Sequence, residues 1–82
     1  MPYSPQDLKE IVRAEREFYE LCFAHLLLSL AWYISHGMLR FDTIAERGDW
    51  LEDRAMRSVN RWRSHFCPER VGLPLDTEWP TV

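Results

Sequence analysis

An all-α fold is predicted by three observations. Leu21 to Ile34, LCFAHLLLSLAWYI, is a run of fourteen residues without Lys, Arg, Asp or Glu in a chain that is otherwise rich in charge. Apolar side chains recur at helical spacing before that run and again after Gly48. Helix start and stop signals stand where such helices would begin and end, at Ser4-Pro5, Gly37, Asp49 and Pro68. The architecture expected is one domain of 82 residues. Helix one covers about 5–36 with freedom to kink, a short helical turn about 43–47, helix two about 50–66, packed antiparallel on helix one, and an extended tail 68–82.

Helix one opens at Ser4, which can cap, followed by Pro5 at the first helical position and Asp7 three residues after the cap. Gly37 is a natural left-handed residue just past its end. An uninterrupted helix of this span is about 48 Å long, against a diameter of roughly 30 Å for a compact domain of this size. It must therefore bend, break or project into an oligomer.

The face it presents changes along its length. In the first half, Leu8, Ile11, Val12, Phe18 and Tyr19 lie on one side, and Lys9, Arg13, Arg16, Glu17 and Glu20 on the other, with Arg13/Glu17 and Arg16/Glu20 spaced for local ion pairs. That apolar side continues as Cys22, His25, Leu26, Ser29 and Tyr33, while the formerly charged side becomes Phe23, Ala24, Leu27, Leu28, Leu30, Ala31 and Ile34. A helix that is apolar on two sides needs two covers. Burial of Leu21, Phe23, Leu26, Leu27, Leu28, Leu30, Trp32 and Ile34 is worth about 1.5–3 kcal/mol each as an upper bound. Ala24 and Ala31, seven apart, would let another helix approach closely. A homodimer through Phe23, Leu27, Leu30, Ala31 and Ile34 is predicted, with the tail as the other candidate cover.

After Thr43-Ile44-Ala45-Glu46, which has the form of a capping box, Asp49 is read as the cap of helix two, and Cys67-Pro68 as its stop. Its inward stripe is predicted to be Leu51, Ala55, Val59, Trp62 and Phe66. In the tail, Val71, Leu73, Leu75 and Trp79 alternate loosely enough to lie along an apolar groove.

Composition narrows function more by exclusion than by indication. A net charge of -3 gives no global attraction to nucleic acid or anionic membrane. The apolar run falls short of the roughly 20 residues of a membrane span, the N-terminus has no signal-peptide pattern, and two cysteines are too few for a disulfide framework. A cytoplasmic protein with free thiols is expected. Cys22, His25 and Ser29 share a side of helix one, but no glycine-rich elbow or orienting carboxylate accompanies them, so neither catalysis nor a cofactor is expected. Cys22, His25, His65 and Cys67 lack zinc-site spacing, so no metal is expected either. Glu15 stands in the middle of an apolar face, and a carboxylate placed there ordinarily pairs with an arginine across the core or a subunit boundary.

Charge along helix two is asymmetric. Asp42 to Asp53 holds five acids against Arg47 alone, and Arg54 to Arg70 five arginines against Glu69 alone, an order that suits the helix dipole. Arg54, Arg57 and Arg61 share a stripe with Trp50 and His65, and Asp53 is placed to pair with Arg57. Arginine with tryptophan is the composition of protein interface hot spots. These features lead to the expectation of a non-enzymatic protein-binding module, a small modulator or inhibitor of a larger partner of the kind common among phage and mobile-element accessory proteins, such as inhibitors of host defence. A nucleic-acid-binding regulator using the Arg54/Arg57/Arg61 stripe is the alternative.

Overall fold

The computed structural model describes residues 3–40, 42 and 48–78. Two helices, α1 (Pro5–Ser35) and α2 (Gly48–Phe66), pack against each other and are followed by a single 3₁₀ turn, Pro68–Arg70. No strand occurs among the described residues. The predicted turn at 43–47 and Trp79 lie outside them. The particle measures 52 × 17 × 16 Å, with a Cα radius of gyration of 15.7 Å. The choice for helix one is therefore an unbroken rod projecting beyond a globular outline.

Both ends of α1 are closed as the local chemistry demands. The Ser4 hydroxyl accepts from the Asp7 amide at 3.2 Å, and the Asp7 carboxylate accepts from the Ser4 amide at 3.2 Å, a reciprocal box that satisfies two orphan donors. At the other end Gly37 adopts φ +70°, which lets its amide donate to Ile34 O at 3.0 Å and the Met38 amide to Tyr33 O at 2.9 Å. This is a Schellman closure. α2 starts two residues earlier than predicted, so Asp49 sits inside the first turn instead of capping it, where its charge still complements the helix dipole.

The core is small. Leu30, Leu51, Ala55, Val59 and Cys67 are its buried apolar members. On α2 the buried row is Leu51, Ala55, Val59 and Arg63, each four residues from the last. The predicted stripe is corrected at its end, since Phe66 is 64% exposed and Trp62 only half-buried, their rings 5.4 Å apart. Arg63 turns inward in their place because it has an ionic partner there.

The inward side of α1 also follows a four-residue row, through Glu15, Tyr19, Phe23 and Leu27, and such a row winds slowly around a helix. Phe23, Leu27 and Ile34 are half-buried and Leu30 buried within the chain itself, while Ala31 is exposed. The side of His25, Ser29 and Tyr33 is the bare one, and Leu28, grouped by spacing with Phe23 and Leu27, belongs with it: Leu21, Leu28 and Trp32 are 66%, 69% and 51% exposed, and His25, Ser29 and Tyr33 are exposed with them.

The tail departs from the extended form predicted. Pro68 opens the 3₁₀ turn, and further turns follow at Gly72 (φ +87°) and Asp76 (φ +64°). The anchors of its described part, 68–78, lie on the first half of α1 and the end of α2, away from the later apolar sides of α1.

Candidate partner-binding groove

Glu15, Arg63 and Arg70, all fully buried, tie the three segments together. Arg70 donates to Glu15 from Nε at 2.7 Å and from Nη2 at 2.9 Å, and Arg63 donates from Nη2 at 2.9 Å. Arg63 Nη1 also reaches Leu73 O at 2.6 Å and Asn60 Oδ1 at 3.0 Å, and Arg70 Nη2 reaches Thr77 O at 2.6 Å. Asn60 Oδ1 accepts the Gly72 amide as well. Two cations around one anion leave an excess positive charge, which the carbonyls of Leu73 and Thr77 help to solvate. Burial alone would raise the Glu15 carboxyl, but the hydrogen bonds from Arg70 and Arg63 and their charges outweigh it and hold it below the usual carboxylate range. The partner of Glu15 is thus within its own chain. Outside this cluster, Arg16 grips the Asp76 carboxylate through two hydrogen bonds, which lowers the Asp76 pKa, and a weaker contact to Glu20 at 3.9 Å completes the clamp.

The remaining arginines of α2 have a different environment. Arg54, Arg57 and Arg61 line one wall of an open groove of about 540 Å³, with Ser58 between them, and the opposite wall is Leu21, Cys22, His25 and Leu26 of α1. None of the three makes an ion pair among the described residues. The predicted Asp53–Arg57 pair does not form, and both side chains are exposed. Arg54 lies 5.8 Å from the centroid of the Trp50 ring, a cation–π contact, and Trp50 is 43% exposed. His65 is exposed beside Phe66, their rings 6.5 Å apart in an edge contact. A second depression of about 340 Å³ continues along α1 over His25, Leu28, Ser29, Trp32 and Tyr33. The groove therefore has a cationic wall, an apolar wall and an apolar extension.

The nucleophile candidates make local contacts. The Ser29 hydroxyl donates to the backbone carbonyl of His25 at 3.1 Å, a local helix contact that does not engage the imidazole. Cys22 is half-buried in the groove and Cys67 fully buried, both as free thiols. Burial and the neighbouring Glu69 carboxylate push the Cys67 thiol up to about 11, which makes it a poor nucleophile. Among the described residues, no three of His, Cys, Asp and Glu converge as metal ligands.

Sequence reasoning placed Arg63 and Arg70 in the exposed basic run and missed their burial. One signal was present: Arg63 continues the four-residue row Leu51, Ala55, Val59, and Glu15 was an acid in want of a partner. By length and composition α1 is also apolar enough to cross a bilayer, which the shorter fourteen-residue count did not suggest. Comparison with protein-family models, with curated proteins and with solved structures yields no match.

Proposed function

We propose that this chain is a non-enzymatic protein-interaction module whose groove takes an acidic, amphipathic segment of a larger partner, making it a small modulator or inhibitor of the phage or mobile-element accessory type. The observation that supports this reading is the juxtaposition of three arginines, none ion-paired among the described residues, with a bare leucine wall. Unpaired arginine beside exposed tryptophan supplies both charge recognition and anchor area. Asp53, Trp50 and His65 border the same face. We read α1 and α2 as antiparallel, since Glu15 near the start of α1 meets Arg63 near the end of α2. The expected cytoplasmic setting and a homodimer belong to the same reading; of the face expected for the dimer, Phe23, Leu27, Leu30 and Ile34 turn partly or fully inward and only Ala31 is exposed, so the dimer is read instead through the uncovered Leu21, Leu28 and Trp32.

The test is affinity capture from the native host, followed by binding measurements with the purified captured protein. Arg54→Glu and Arg57→Glu are expected to weaken that binding by at least about tenfold each, given the cost of reversing a charge in a recognition site. Undiminished binding by both variants would remove the groove from function. A duplex or single-stranded oligonucleotide bound at low salt, with steep salt dependence lost in Arg57→Glu, would favour a nucleic-acid regulator instead.

A further inference from the structure

The bare side of α1 has a regular spacing. Phe18, Leu21, His25, Leu28 and Trp32 follow one another at intervals of three, four, three and four residues, the spacing of a coiled-coil seam. The two leucines are the most exposed large apolar residues of the helix. From Phe18, itself half-buried, to Trp32 the seam is about 21 Å long on an unbroken helix, with Leu21, His25, Leu28 and Trp32 exposed.

Its two borders differ in charge. On one border lie Cys22 and Leu26, where the arginine wall of α2 begins. On the other lie Glu10 and Glu17, followed by Ala24 and Ala31, all exposed and each seven residues from the next. The same border thus carries acids early and small residues late, which permit close approach of a helix.

We propose that a second copy of this chain covers the seam, with the two α1 helices parallel and in register. The proposal rests on the homodimer reading above and specifies its face and its orientation. In a parallel pair with a twofold axis along the helices, each copy's acidic border meets the other's arginine border, so Glu17 comes beside the partner copy's Cys22 and within reach of its Arg57 or Arg61. In an antiparallel pair, like borders meet and the two arginine walls are brought together. Charge at the positions flanking a seam sets partner and orientation, and here it favours the parallel arrangement. His25 then meets its own equivalent, a polar pair at a core position of the kind that fixes register at some cost in affinity. The second copy takes up the leucine wall of the groove, so a larger partner would meet the Trp50–Arg54 end that remains or displace that copy.

Light scattering coupled to size exclusion across about 5–200 µM is expected to give twice the 9.9 kDa chain mass at the upper concentrations. Leu28→Asp is expected to give a monomer of unchanged helical circular dichroism, because Leu28 is a surface residue in the single chain. Glu17→Arg, and Arg57→Glu or Arg61→Glu, should weaken the dimer about tenfold, since a symmetric interface loses the pair twice, and Glu17→Arg combined with one of these two reversals should recover most of that loss. In a Cys22→Ser background, Leu21→Cys should oxidise to a covalent dimer, as parallel registry places the two residues 21 together. A monomer at about 200 µM overturns the proposal, as does a dimer that survives Leu28→Asp or a charge swap that fails to rescue. A monomer that instead sediments with anionic phospholipid vesicles assigns the seam to a membrane surface and equally overturns it. Partner binding measured on Glu17→Arg, which lies outside the groove and its extension, at concentrations where that variant is monomeric keeps the two readings separate: retention there leaves the groove standing even if dimerisation fails.

Discussion

Glu15 and Tyr33 stand at the same angle on α1, five turns apart, yet Glu15 is fully buried and Tyr33 is 44% exposed. The first lies where α2 and the returning tail converge, and the second lies beyond the reach of the tail. A helical face is therefore inside or outside according to what passes over it, and residue type does not decide the matter. The same contrast divides the arginines of α2 and the 3₁₀ turn after it: Arg63 and Arg70 are sealed around a carboxylate, whereas Arg54, Arg57 and Arg61 wait on an open wall. The clamped end of the molecule holds the buried ion cluster and the open end the proposed binding surface.

The most severe way to break that division is at Glu15. Glu15→Ala leaves two buried guanidinium groups without their anion and is expected to destabilise by about 3–5 kcal/mol, read by urea unfolding. For an 82-residue chain this amounts to much of the total. If the loss is under about 1 kcal/mol, the cluster is not the clamp described here.

Leucine truncations on the two sides should then diverge. Leu51→Ala, in the core at 2% exposed, is expected to cost about 2–5 kcal/mol. Leu28→Ala, compared at concentrations where the chain is monomeric, should fall within about 0.5 kcal/mol. Equal effects would mean that the open side is covered within the single chain.

Acid should loosen the clamped end first. The Glu15 carboxyl lies below its ordinary range in the folded chain, so its contribution is fully present above about pH 5 and fades as pH falls from the ordinary glutamate value toward the lower folded one. Glu15→Gln, already weaker at neutral pH, should lack that component of the acid loss. A pH–stability curve parallel to that of the unmodified chain would contradict this.

Smaller effects belong to the ends of α1. Gly37→Ala places a side chain at φ +70° with open space around it, so only backbone conformation opposes it, at about 1 kcal/mol. Ser4→Ala should cost about 1 kcal/mol through loss of the cap. Last, native thiol labelling should modify Cys22 on the groove well before the buried, proton-retaining Cys67.

Elements and their ends were legible because they rest on neighbours in the chain. Ser4-Pro5-Gln6-Asp7 closes its box, and Gly37 its Schellman turn, without help from anything distant. The exposed Trp50, Arg54, Arg57, Arg61 stripe was legible for the same reason, since residues three and four apart on a helix must share a side. The Arg54–Arg57–Arg61 groove was only half legible: its arginine wall could be read from spacing, its leucine wall could not. Spacing implied two apolar sides on the later half of α1 and put the outward one at Phe23, Leu27, Leu30, Ala31 and Ile34, but most of these turn inward and Leu21, Leu28 and Trp32 are the bare ones, because spacing alone does not say which side α2 covers.

Local chemistry along the chain determined that this protein is helical, where α1 begins and ends, and that its later half is apolar on two sides. Only the tertiary structure decided which of those sides faces inward, and that two of five arginines close on Glu15 while three face a groove. Capping and periodicity act over a few residues and are complete within a segment. Burial of Arg63 and Arg70 depends on a carboxylate 48 and 55 residues away, a relation that exists only once the tail has returned across both helices.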